Sequence, residues 1–258
     1  MKQWLVLYRK EILEMQRNFK AFWVPLVFII LGVTQPLVTF YTPEIIKNAG
    51  NLPAGTIIQI PSPTAAEVLA KTISQFGTLG VLILVLASMA TIAGERQSGV
   101  LSLIMIKPVS HLSFITSKWV GLLTLTWVSF LCGFAAAWYY TALLFGPIQT
   151  ASALESFILY GFWLTFIMTV TLWMSASLKG NGAIAFLTLS IAAFLSILTG
   201  LFSKYTLWSP ARLTEHVQSL LIQGTLSNSF LLCLLVTMTC ILCLLLHANY
   251  IFKHQENI

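Results

Sequence analysis

Gly94-Glu95-Arg96-Gln97-Ser98-Gly99-Val100-Leu101-Ser102-Leu103-Ile104-Met105-Ile106-Lys107-Pro108-Val109-Ser110-His111 is a polar island between two apolar runs. The run before it ends at Ala93 and the next begins at about Phe114. Both reach the roughly 20 residues needed to cross hydrocarbon, so the island is held at one membrane face. Glu95 and Arg96 mark the water boundary, and Gly99 offers a hinge or a helix start. Leu101, Ile104 and Met105 share one face of a short helix that is too short to fold alone. Lys107-Pro108 ends it, and Lys118 re-enters the membrane with a charge near the interface. On these residues alone the island is a structured loop, and an ordinary loop whose charges fix topology fits equally well.

Composition sets the solvent. Apolar residues make up 57% of the 258 and charged residues 9%, where a soluble domain carries about 25% charged. There is no Asp and there are eight Glu, which leaves little acid for chemistry inside a membrane. The net charge of +6 is spread thinly, as topology requires, and no dense basic run interleaved with aromatics points to nucleic acid. The four Cys lie within apolar runs and say nothing about redox compartment. Trp4 to Tyr8 is too short for the apolar core of a cleavable signal.

The remaining chain reads as one all-α membrane domain over residues 1–258. Residues 1–20 form an amphipathic helix, with Trp4, Tyr8, Ile12, Met15 and Phe19 at spacings of three and four and charges mostly off that stripe. Such a helix is expected to lie in the membrane interface. Six spans follow within 21–252, at about 21–41, 72–93, 114–145, 156–178, 183–202 and 230–252, and 253–258 is a tail. Pro36 predicts a bend late in the first span. Residues 42–71, with Pro43, Pro53, Pro61 and Pro63, read as a loop with little structure of its own. Residues 146–155 and 179–182 read as short connections. Between spans five and six, Trp208-Ser209-Pro210 opens a short helix at 211–222 that cannot span and is expected at the interface or re-entering between helices.

Orientation follows from Lys and Arg. With the N-terminus cytoplasmic, that side holds Lys2, Arg9, Lys10, Arg17, Lys20, Arg96, Lys107, Lys118, Lys179 and Lys253. The other side holds Lys47, Lys71, Lys204 and Arg212. Both termini and the island are then cytoplasmic.

Other patterns have plainer readings. Cys240-x-x-Cys243 sits in a continuous apolar run, where Cys acts as a small hydrophobe. His247 reads as interfacial, and Glu215-His216, lacking the second His of a zinc hydrolase, as a solvated pair. Gly77, Gly80, and Gly133 with Ala137 suit close helix packing. Trp119, Trp127, Trp138, Tyr139 and Tyr140 read as belt residues. No Gly-x-x-x-x-Gly-Lys-Ser/Thr occurs, so no nucleotide or magnesium site is expected in this chain. No span has an acid or base at its middle, which fits an apolar or amphipathic cargo, or a closed dimer interface through which polypeptide or lipid moves.

Glu95-Arg96-Gln97-Ser98-Gly99-Val100-Leu101, Pro108-Val109-Ser110 and Lys118 together resemble the signature of type-2 ABC transporter permeases, with Val100 in place of the usual Thr and His111 in place of Arg. The island follows span two of six, and the amphipathic helix with Lys10-Glu11 and the Pro210 segment stand where that family has them. The resemblance implies an exporter permease subunit with six helices, working as a homodimer or heterodimer in the inner membrane. It implies an interfacial helix (Trp4, Tyr8, Lys10, Glu11) and an extracellular re-entrant segment at Pro210. It also implies a cytoplasmic coupling helix, with Glu95, Arg96, Gly99, Leu101, Ile104, Met105, Pro108 and Lys118 serving the contact to a separate cytosolic ATPase. ATP and Mg would be bound by that partner, with no cofactor in this chain, no enzymatic activity of its own and no nucleic-acid partner. A membrane-embedded self-protection or regulatory protein, or an integral membrane enzyme, would be the alternatives.

Overall fold

A computed structural model describes residues 2–49, 63–106, 109–202, 204–225 and 229–255. Pro53, Pro61, Lys107 and Pro108, assigned above to the long loop and to the end of the short helix, lie outside the described residues, as does the side chain of Met105.

All regular structure among the described residues is helical: α1 (Lys2–Arg17), α2 (Lys20–Ala49), α3 (Ala65–Gln75), a π turn (Phe76–Gly80), α4 (Val81–Ser88), α5 (Ala93–Gln97), α6 (Val100–Met105), α7 (His111–Phe145), α8 (Thr150–Ser177), α9 (Asn181–Leu201), α10 (Arg212–Gln223) and α11 (Phe230–Gln255). Six stretches are long and apolar enough to cross a membrane, the second assembled from α3 to α5.

Several boundaries differ from the hydropathy reading. The stretch read as a loop over 42–71 is helical at both ends, because α2 continues through Pro43 to Ala49 and α3 starts at Ala65. Thr64 caps α3 through a reciprocal capping box, its hydroxyl accepting from the Glu67 N–H while Glu67 Oε2 accepts from the Thr64 N–H. Polar Glu67 and Lys71 lowered the local hydropathy without disturbing the helix. Likewise α8 begins at Thr150, inside the stretch read as a connection.

Span two is not one helix. A π turn interrupts it at Phe76–Gly80, and a turn over 89–92 separates α4 from α5. Hydropathy cannot register either break, since both lie in an apolar run.

The bundle is built around α8, whose faces touch α11, α10, α7 and α9. The most extensive contact is α2 along α7. It depends on glycine: a methyl group on Gly32 would collide with the Gly133 carbonyl, and one on Gly133 would stand 2.7 Å from the Phe28 carbonyl oxygen. Close approach of this kind favours association where burial from water gives no drive. Trp119 and Trp127 are half-buried and donate from Nε1 to Thr169 (2.9 Å) and Thr165 (3.1 Å) on α8. Their helical face, not their hydropathy, decides this, whereas Tyr139 on the same helix is 64% exposed.

Candidate coupling site

The polar island is built onto the bundle at two places. Where span two breaks, the N–H groups of Ile92 and Ala93 have lost their helical acceptors. The Ser175 hydroxyl accepts from both, at 3.0 and 3.1 Å, and donates to the Met89 carbonyl at 3.0 Å. One buried side chain of α8 thus satisfies three backbone groups that a continuous helix would have paired within itself. Next, Arg96 donates from Nη2 to the Ala176 carbonyl at 3.2 Å, and Gln97 donates to the Lys179 carbonyl. These tie α5 to the C-terminal end of α8.

Gly99 then turns the chain. Its φ of +72° lies in the left-handed region, and a β-carbon there would meet nothing within 4 Å. The glycine is needed for conformation and not for space. The six residues of α6 follow. Leu101 is 2% exposed and belongs to the core, and Ile104 packs against it. Leu103 and Ile106 point outward at 65% and 78% exposure. The inner face is therefore the anchor, and the outward face comprises residues not singled out from the sequence. Only the alternation on a helix whose inner face is Leu101 and Ile104 would have marked them.

Beneath α6 lies a knot of charges. Lys118 of α7, with a side chain 1% exposed, places Nζ 2.9 Å from Glu11 Oε1 and 3.0 Å from Glu95 Oε1. Lys10 reaches Glu11 Oε1 at 3.1 Å and Glu14 Oε2 at 2.9 Å and also pairs with Glu95. The Lys118 ammonium also sits 5.1 Å from the centre of the Phe114 ring, within cation–π range. Burial opposes charging Lys10, but Glu11 and Glu95 outweigh it and hold its pKa above the ordinary lysine range. Burial likewise opposes the Glu14 carboxylate, and Lys10 overcomes this to leave its pKa lowered. Ligand oxygens of Glu11, Glu14 and Glu95 converge within 4.8 Å, the spacing of a metal site, yet Lys10 and Lys118 already engage all three carboxylates.

The knot fixes α1 on α7. Trp4 donates from Nε1 to Thr116 Oγ1 at 3.1 Å, and the hydroxyls of Tyr8 and Thr124 share a hydrogen bond at 3.0 Å. The stripe of Trp4, Tyr8 and Met15, with Glu11 within it, thus packs on protein. Leu5, Val6 and Leu13 are the exposed apolar residues of α1. Of the apolar stripe Trp4, Tyr8, Ile12, Met15 and Phe19, Met15 is buried against the bundle, Trp4, Tyr8 and Ile12 are half-buried, and Phe19 is exposed.

At the far end of α9, Pro210 is buried in the turn before α10, and α10 packs on α3 and α8. Gln218 donates to Ser74 at 3.0 Å, and Thr199 donates to Ser209 at 3.0 Å. His216, read above as half of a solvated pair, is 3% exposed against the Phe230 ring. Burial, with Arg212 nearby, lowers its pKa. Glu215 instead faces Arg212 at 3.8 Å on the outer surface.

Residues 5–256 match the family described as ABC-2 family transporter protein. The chain belongs to the ABC-2 transporter family. It is also 35% identical over 257 residues, covering 100% of both chains, to an uncharacterized transmembrane protein, YxlG, of Bacillus subtilis (strain 168). Six spans and ABC-2 membership make this chain a multi-pass membrane protein with the fold of a transporter membrane subunit.

Proposed function

We propose that this ABC-2 protein is the permease subunit of an ATP-driven exporter and that the outward face of α6 receives a separate cytosolic ATPase. ATP and Mg belong to that partner, and two permease chains, identical or not, form the conduit. Both termini are cytoplasmic in this reading, in keeping with the bias of Lys and Arg.

The observation that carries it is the charge knot. Motion of a soluble partner reaches membrane helices only through a contact that does not yield. Glu95 on α5 shares Lys118 with Glu11, so one carboxylate joins the island to both α7 and α1. Arg96 joins it to the end of α8. Displacing α6 therefore displaces three membrane-facing elements together. The cargo class that suits spans without mid-membrane acids or bases is apolar or amphipathic.

The test is co-purification in detergent with a candidate ABC ATPase, using cysteines placed at Ser102 and Leu103 for cross-linking. Cross-links that need an intact ATPase groove support the reading. A chain that recovers no ATPase under those conditions is a regulatory membrane protein instead.

A further inference from the structure

Between α1 and α7 runs an open groove of about 720 Å³. Val6, Arg9, Leu13 and Gln16, spaced by three, four and three residues, form its rim along one face of α1. All four are exposed, so the bundle covers none of them. Tyr8 and Ile12 complete the α1 wall, and Thr124 of α7 lies across from them. The hydroxyls of that wall are already paired. Thr124 donates to the Val120 carbonyl at 2.8 Å and shares a hydrogen bond with Tyr8 at 3.0 Å. The floor therefore presents an aromatic ring and aliphatic carbon, and asks for an apolar occupant.

Charge narrows the occupant. Among the described residues no acid lines the groove, because Glu11 and Glu14 are held by Lys118 and Lys10 in the knot. Lys10 also lines it, but its ammonium is committed to Glu11, Glu14 and Glu95. The Arg9 guanidinium is in no hydrogen bond or ion pair among the described residues. One unmatched cation above an apolar floor complements an anionic amphiphile. Depth supplies the rest. The span of α2 starts at Lys20, directly after α1. Thr124 lies ten residues past Phe114, where the apolar run of α7 begins, or about 15 Å along the helix. A soluble anion reaches Arg9 alone, whereas a lipid lying against α7 reaches both the cation and the floor.

We propose that the groove binds one anionic phospholipid, with its phosphate on the Arg9 guanidinium and an acyl chain along Leu13 and Ile12 toward Thr124. A guanidinium suits this role because its planar fork takes phosphate oxygens bidentately. The knot holds the inner face of α1 and the lipid holds the outer one, so α1 is fixed from both sides. The site rests on the membrane spans alone and stands whether or not α6 receives an ATPase.

The full chain, delipidated in detergent, is titrated with phosphatidylglycerol and phosphatidylethanolamine of identical acyl chains, and bound lipid is counted by native mass spectrometry. The first glycerol lipid is expected to bind at about fivefold lower concentration than the first ethanolamine lipid, the scale of one basic residue at a membrane surface. Arg9→Gln is expected to erase that preference. Arg17→Gln, which removes another exposed cation of α1 that does not line the groove, is expected to keep it. Soluble glycerophosphoglycerol at the same concentration is expected not to displace the lipid. Equal binding of the two lipids overturns the proposal, as does an unchanged preference in Arg9→Gln. Equal losses in Arg9→Gln and Arg17→Gln overturn it too, and assign the preference to the basic surface at large. Displacement by the soluble headgroup overturns it in favour of a simple anion site. Retention of no lipid overturns it as well, and leaves this face of α1 to water or to a protein partner.

Discussion

Lys118 donates to Glu11 Oε1 at 2.9 Å across 107 positions of sequence, with a side chain only 1% exposed. Removing one member of a buried pair costs about 3–5 kcal/mol, because the other is left charged and unpaired. Lys118→Met is therefore expected to destabilise the detergent-solubilised protein by that amount. Adding Glu11→Gln should restore part of the loss, since one stranded carboxylate is gone. Thermal unfolding of the two single variants and the double variant measures the coupling, and strict additivity would show that the pair is not energetically joined.

The same knot predicts a pH window. The Glu14 pKa is lowered from its ordinary 4.5, so its contribution is present above pH 4.5 and lost as pH falls through the lowered value. The Lys10 pKa is raised from 10.5, so its contribution is complete below pH 10.5 and lost as pH rises through the raised value. The Tm should show a plateau between about pH 4.5 and 10.5, with a shoulder at each end. Lys10→Met is expected to flatten both shoulders, and a variant that keeps them would assign them to other groups.

Ser175 is the staple at the break in span two. Ser175→Ala strands the buried N–H groups of Ile92 and Ala93, each worth about 1–3 kcal/mol when unsatisfied. A loss of about 2–4 kcal/mol is expected, with faster amide exchange at 92 and 93. Ser196→Ala, which removes a hydroxyl bonded to the Ala192 carbonyl of its own helix at 2.9 Å, should cost much less. Equal effects would mean that the break is supported elsewhere.

Gly32 and Gly133 test the α2–α7 seam. Gly32→Ala sets a methyl group against the Gly133 carbonyl, and backbone cannot give way as a flexible side chain can. Overpacking of this kind costs about 1–3 kcal/mol. Gly182→Ala, with nothing within 4 Å of the new methyl, is the matched control and should leave the Tm unchanged.

Span number was legible because an apolar run of about 20 residues has few alternatives. Lys118, Glu95, Lys10 and Glu11 each stood out by position in the family signature, but the sharing of Lys118 between Glu95 and Glu11 did not. It requires α1 to fold back on α7, which no local pattern encodes. A faint signal existed, since Glu11 sits among Trp4, Tyr8 and Met15 at helical spacing, and an acid within an apolar stripe needs a cation. Ser175 carried no signal at all, as nothing in sequence separates it from Ser177. The outward residues Leu103 and Ile106 were passed over because the short helix was read by its apolar face, and that face turned out to be the anchor. His216 was misplaced because it stands beside Glu215, although adjacent residues on a helix point about 100° apart.

Leu103 and Ile106 separate docking from folding. Both are exposed at the tip of the island, so Leu103→Asp with Ile106→Asp should leave the stability within about 0.5 kcal/mol of the parent, as surface substitutions do. Co-purification of the ATPase should fall at least tenfold if this face is the contact. Glu95→Ala and Gly99→Pro act behind that face, the first by cutting the knot and the second by forbidding a φ of +72°. They are expected to leave membrane insertion intact while ATP hydrolysis no longer drives transport. The informative pattern is the contrast: binding lost with hydrolysis untouched in the first pair, binding kept with transport lost in the second. Full transport in the Leu103 and Ile106 double variant would move the ATPase contact away from α6.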